Sequence, residues 1–263
     1  MRNIKLTIEY DGTNYHGWQI QPNVITIQKV IQDALTKLTK TRTQITGAGR
    51  TDSGVHAAGQ VANFSTPARM PLIAFQKGLN AVLPQDIVII DVEEVPSDFH
   101  SRFSATSRTY RYTVLNRAYP SAFLRNRAYF FPPPLDVQHV DAICKALVGK
   151  RDFSSFQRMG SDRINPVCEI YESLCWRKGP LVDFEIEADS FLRGMVRAIV
   201  GTILKLHDSP NSVAQLDEIL DACDRSAAGI SAPAHGLSLI GVKHETCNGV
   251  RKNSPKKVHQ GSM

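Results

Sequence analysis

The hydrophobic pattern changes period early in this chain, and that change confines it to mixed α and β folds. Ile4-Lys5-Leu6-Thr7-Ile8-Glu9-Tyr10 alternates apolar and polar side chains, the pattern of a strand with one buried face. Ile27, Val30, Ile31, Ala34, Leu35 and Leu38 then recur at helical spacing. Residues 60–64 and 87–95 read as further strands, with a helix between them that starts near Pro71. The glycine-rich loop around Asp52 is thus expected to precede a strand at the edge of the sheet.

A comparable series begins after the polar stretch 97–107. Residues 108–115 form a strand pattern, and a helix opens at Asp136 with Val140, Ile143, Cys144 and Leu147 on one face. Strand patterns at 167–176 and 181–187 lead to a helix expected over 190–207, a short helix from Ser212 and a final strand at 237–242. Two α+β halves are the natural reading.

At 263 residues the chain can bury one large core or two ordinary ones. It has no apolar run long enough for a membrane span and no secretory pattern at its start, so a cytoplasmic location is expected. The net charge of +6 points toward a polyanion, but Arg251, Lys252, Lys256 and Lys257 sit together at the end. Without them the 31 basic residues become 27 against 25 acidic ones, so any RNA contact must come from a local patch. Residues 249–263 carry too few apolar side chains to pack and read as a disordered basic tail. Cys144, Cys168, Cys175, Cys223 and Cys247 are odd in number with no Cys-x-x-Cys pair, which implies reduced thiols. Eight scattered histidines without ligand spacing imply no metal site.

Gly47-Ala48-Gly49-Arg50-Thr51-Asp52-Ser53-Gly54-Val55-His56-Ala57 surrounds one carboxylate with glycines, small polar residues and an arginine. Such a loop lets a substrate backbone approach closely while Arg50 and a second cation keep Asp52 ionised. A tight turn in which Asp52 bonds its own backbone fits the same residues. The P-loop ending and the dinucleotide spacing of glycines are both missing. Within the expected helix 190–207, Ser190, Gly194, Arg197 and Gly201 share a face, and Arg197 is its only large group. Two glycines flanking an arginine suggest close approach of another backbone, with the guanidinium aimed at something fixed. A surface arginine beside a packing notch fits as well. Tyr110 and Tyr112 share a strand face opposite Arg111, either as core residues or as stacking groups.

Residues 49–57 resemble the signature of the pseudouridine synthases, and most closely that of the tRNA pseudouridine synthase A family, Gly-Arg-Thr-Asp-Ala-Gly-Val-His-Ala. Ser53 in place of the alanine is the one departure. Residues 10–19, 108–112, 191–197 and 232–237 agree with that family in the same order, so the resemblance spans nearly all of 1–248.

The resemblance implies a pseudouridine synthase fold: two RRM-like or ferredoxin-like α+β subdomains, 1–104 and 105–248, sharing a mostly antiparallel sheet with a central cleft. It implies an isomerase that converts uridine to pseudouridine at positions 38, 39 and/or 40 of the tRNA anticodon stem-loop, with no cofactor. Asp52 would be the essential carboxylate, Tyr110 would stack on the target uracil, Arg50 would engage RNA and assist base flipping, and Arg197 would pair with Asp52. The family gives His56 no catalytic role, so it reads as a loop-packing residue, with Trp18 and Tyr15 structural or RNA-contacting. A homodimer with one tRNA spanning both subunits is also implied. Two other classes fit parts of the sequence. A glycoside hydrolase would need two cooperating carboxylates where this loop offers one, and an RRM-type binding module would not need Asp52.

Overall fold

The computed structural model describes residues 1–158, 160 and 165–245. The basic tail at 249–263 and Cys247 lie outside the described residues.

Ten strands form one sheet, and eight of them run in the order β4-β1-β3-β10-β5-β9-β8-β7. The N-terminal part supplies β1 (Arg2–Tyr10), α1 (Ile27–Thr39), β2 (Thr46–Gly47), β3 (His56–Thr66), α2 (Leu72–Val82) and β4 (Ile87–Val95). The remainder supplies β5 (Ala105–Leu115), β6 (Tyr129–Phe130), α3 (Val137–Lys145), β7 (Gly149–Asp152), β8 (Val167–Lys178), β9 (Leu181–Ala188), α4 (Met195–Leu206), α5 (Ser212–Asp221) and β10 (Leu237–His244). The mixed α+β class expected from the periodicity is the class observed, and the sheet is antiparallel except where β10 meets β3 and β5 meets β6.

Local signals set several boundaries. Asp136 caps α3, its Oδ1 accepting from the Gln138 and His139 amides at 3.0 and 3.3 Å. Pro71 stands directly before α2, where its missing amide costs the helix nothing. α1 has no side-chain cap and is held by burial of Ile27, Ile31 and Leu35, each contributing about 1.5–3 kcal/mol.

Two expectations are corrected. β3 is not an edge strand: β1 flanks it antiparallel, and β10 lies parallel beside its first residues, pairing Ser238 with His56 and Leu239 with Ala57. A strand from the far end of the sequence leaves no local trace of this neighbour. α4 begins at Met195, not at 190, because Gly194 takes a left-handed φ of 74° that ends the preceding turn. Ser190 and Gly194 therefore lie outside the helix, and of the four residues expected on one face only Arg197 and Gly201 remain on it.

The notch predicted at Gly201 is present. A side chain there would stand 1.8 Å from the Ile230 carbonyl oxygen, so the segment between α5 and β10 lies directly on α4. The Gly229 amide donates to Thr202 Oγ1 at 2.8 Å and the Ala232 amide to the Arg197 carbonyl at 2.9 Å. Tyr112, fully buried, donates from its hydroxyl to the Pro233 carbonyl at 2.8 Å. Residues 228–236 thus strap α4 to the centre of the sheet. Cys144, Cys168 and Cys175 are buried and Cys223 is exposed, and among the described residues none of the four forms a disulfide.

Candidate active site

Asp52 sits in a turn closed by the Val55 amide on the Asp52 carbonyl at 3.1 Å, with Gly54 at φ 77°. The turn is pinned from several sides. Gly17 packs so closely that a side chain there would stand 2.4 Å from the Thr51 carbonyl oxygen, and the Trp18 amide donates to that oxygen at 3.0 Å. Tyr10 hydroxyl and Thr51 Oγ1 share a buried hydrogen bond of 2.8 Å. Gln60 donates from Nε2 to the Gly49 carbonyl at 2.9 Å. Trp18 and Tyr15 are buried and structural, Trp18 lying under Gly47.

Arg197 meets this turn from α4. Its Nη1 stands 3.3 Å from Asp52 Oδ2, and its Nε donates to the Ala232 carbonyl at 2.7 Å. The two side chains keep only about a fifth of their surface, 20% for Arg197 and 23% for Asp52, so the pair is sheltered yet reachable from solvent. Arg50, expected to share this task, is exposed and makes no ion pair with a described residue. Among the described residues, Arg197 is the cation that pairs with Asp52.

Tyr110 completes the group. Its hydroxyl lies against Gly49, 3.7 Å from where a side chain at that position would begin, and its ring meets Phe191 edge-on at 5.0 Å. Burial, with the nearby Asp52 charge adding to it and Arg108 opposing, pushes the Tyr110 phenol up to about 12. It keeps its proton throughout the neutral range. Tyr112 on the same face belongs to the core, as its hydrogen bond to Pro233 shows. Arg111 faces the other way, pairing with Glu185 at 2.6 Å beneath Trp176.

His56 is buried at 1% exposure behind the turn. Its Nδ1 stands 3.1 Å from the Gly12 amide nitrogen and 3.0 Å from Asp11 Oδ1, and its Nε2 stands 3.1 Å from the His235 carbonyl oxygen. Burial pushes its imidazole below the usual histidine range, against the pull of Asp11. This is a packing histidine, as the sequence suggested.

Arg108 opens the 108–112 motif, but the sequence assigns it no role of its own. It lies two residues before Tyr110 on the same strand face, and its guanidinium donates to the carbonyls of Ala48 at 3.1 Å, Arg102 at 2.7 Å and Asp189 at 2.8 Å. It clamps the loop that carries Asp52 to β5 and to the segment preceding α4.

The group can hold one sheltered carboxylate beside a fixed cation and an aromatic wall, with glycine backbone on the approach side. The family described as tRNA pseudouridine synthase matches residues 6–104 and 143–245. A tRNA pseudouridine synthase A 2 of Clostridium perfringens is 47% identical over 239 residues, covering 91% of this chain and 98% of its own. The tRNA pseudouridine synthase A of Acetivibrio thermocellus is 44% identical over 242 residues, covering 92% and 99%. That of Thermoanaerobacter sp. is 40% identical over 242 residues with the same coverage. With both its halves matched and its relatives aligned end to end, the chain belongs to the tRNA pseudouridine synthase family.

Proposed function

We propose that this isomerase acts on uridine at positions 38, 39 and/or 40 of the tRNA anticodon stem-loop, with Asp52 as its essential carboxylate. The observation that carries the reading is the Asp52–Arg197 pair, with the Tyr110 hydroxyl against Gly49 in the same loop. Converting uridine to pseudouridine breaks the bond from N1 to C1′, turns the uracil and joins C5 to C1′; one proton departs from C5 and one is taken up at N1, so the formula is unchanged. The reaction is redox-neutral and adds no group. It needs an ionised acid at the sugar and walls that retain the free uracil.

A stem or loop uridine must first be swung out of its stack, at a cost of a few kcal/mol. Tyr110 receives the uracil against its ring, and Arg50, exposed on the same loop, engages the RNA that the flipped base leaves behind. Arg197 holds Asp52 in position through the 3.3 Å contact from Nη1 to Oδ2. Attack of Asp52 on C1′ and removal of the 2′ hydrogen by Asp52 both begin from this geometry, and a 2′-deuterated uridine separates them by its isotope effect. Residues 1–104 and 105–248 serve as the two subdomains flanking the cleft, in a cytoplasmic homodimer whose subunits share one tRNA.

The test is pseudouridine formation on an unmodified tRNA transcript carrying uridines at 38–40, without added cofactor, for the wild type and Asp52→Asn. Product in the wild type alone, with tRNA still bound by the variant, is the expected result. A wild type inactive on every such transcript would overturn the substrate assignment. Product formed equally by Asp52→Asn would overturn the role of Asp52.

A further inference from the structure

The segment between β4 and β5 carries an exposed aromatic that is tied into several contacts. Phe103 is 77% exposed, yet its ring stacks on His100 at 4.4 Å between centroids and carries the Arg102 guanidinium 5.6 Å above it. His100 Nδ1 accepts from the amides of both Arg102 and Phe103 at 3.2 Å, which fixes the backbone that bears the two side chains. The rest of the loop is equally tied. Asn3 donates to the Pro96 and Phe99 carbonyls at 2.9 Å, and the Ser101 amide donates to Asn63 at 3.0 Å. Ser101 Oγ donates to the Thr46 carbonyl, and the Ser101 carbonyl meets His244 Nε2 at 2.9 Å. Phe123, still more exposed at 96%, has no ring partner among the described residues.

This loop is coupled to the Asp52 site. Arg108 Nη2 bonds both the Arg102 and the Ala48 carbonyls, so a single nitrogen joins the loop to the segment that leads into Asp52. Arg108 and Tyr110 share a strand face about 7 Å apart along β5, which places the Phe103 loop just beyond the aromatic wall of the cleft. An exposed ring beside a cation matches a base and its phosphate, the contact on which single-stranded nucleic acids are held.

We infer that Phe103 and Arg102 form a stacking platform for an RNA nucleotide adjacent in sequence to the one that enters the Asp52 site. This rests on the tRNA-modifying reading above. When the target base leaves its stack, a neighbour loses a stacking partner. A base laid on Phe103 recovers that contact, and the Arg102 guanidinium meets its phosphate. The platform thereby favours the RNA conformation from which the uridine has been extruded.

The experiment uses the Asp52→Asn protein and an anticodon stem-loop RNA with 2-aminopurine placed in turn on each side of the target uridine. Quenching on binding is expected at one of the two positions, lost in Phe103→Leu and kept in Phe103→Tyr. In the active protein, Phe103→Leu raises KM by about 5- to 160-fold with little change in kcat, the range that one base–aromatic contact spans. Arg102→Gln lowers the salt dependence of binding by about one phosphate contact. Quenching at neither position, or quenching that survives Phe103→Leu, overturns the platform. A change in the RNA-free oligomeric state on Phe103→Leu also overturns it, since the ring would then face a second copy of the chain. An inactive wild type would overturn the reading of the Asp52 site, while the quenching still judges the platform.

Discussion

Arg197 bonds Asp52 and Ala232 with different nitrogens of one guanidinium, Nη1 at 3.3 Å and Nε at 2.7 Å. The ion pair is therefore aimed by the strap at 228–236 as much as by α4. Arg197→Lys keeps the charge but cannot fill both contacts from one planar fork. Its kcat is expected to fall about 10- to 100-fold, as for a slightly misplaced catalytic group. Single-turnover kinetics at saturating tRNA measure this, and an unchanged rate would show that the Ala232 contact does not orient the pair.

Asp52→Asn keeps the shape of the side chain and removes its charge. Turnover is expected to drop by at least about 10⁴-fold. Because Asp52 is part-exposed and its ion pair with Arg197 is sheltered only in part, stability should change by about 1 kcal/mol or less. Denaturant unfolding of the same preparation checks that the loss is chemical.

Tyr110 keeps its proton at neutral pH, and the stacking role proposed above assigns the work to its ring. Tyr110→Phe is expected to retain activity within about tenfold, while Tyr110→Leu loses up to roughly 10²-fold through the missing stack. A pH–rate profile for Tyr110→Phe that matches the wild type from pH 6 to 9 supports this. Loss of an alkaline limb would assign the hydroxyl a proton-transfer role instead.

Gly201→Ala and Gly78→Ala remove glycine from helices with opposite outcomes. At 201 the new methyl meets the Ile230 carbonyl, which belongs to backbone that must move, and a loss of about 2 kcal/mol or more is expected. At 78 it meets the Leu38 methyl at 2.8 Å, the flexible end of a side chain, so the gain in helix propensity of about 1 kcal/mol largely offsets the crowding. Unfolding midpoints of the two variants decide it.

Burial lowers the titration of His56, His235 and His244 below the ordinary histidine value. The folded state therefore binds fewer protons than the unfolded chain once pH falls to about 6.5. Stability is full above that point and declines as pH drops through it toward the lowered native values, each histidine adding at most about 1.4 kcal/mol per pH unit. Urea unfolding between pH 5 and 8 should show the decline, and His56→Gln should reduce its slope. A slope unchanged in His56→Gln would mean that His56 takes up its proton alike in the native and unfolded states.

The sequence made the elements legible wherever their signals were local. Asp136 and Pro71 mark helix starts because capping needs only neighbouring residues. The start of α4 was hidden because Ser190 resembles a cap, whereas the true start depends on the left-handed Gly194. Asp52 and Arg197 were legible as a pair only through the family's ordered motifs, being 145 residues apart. Alternation placed Arg108 beside Tyr110, but its carbonyl partners at Ala48 and Asp189 are 60 and 81 residues distant, beyond any local pattern. The position of β3 inside the sheet escaped for the same reason, its neighbour β10 arriving from the other end of the chain.

That last strand has a temporal consequence. β10 is wedged between β3, which follows the Asp52 turn, and β5, which carries Tyr110. During synthesis the first three long strands and two helices can collapse on one another while the remainder is still being made. A fragment that ends before residue 237 therefore lacks the strand that joins the two walls of the cleft.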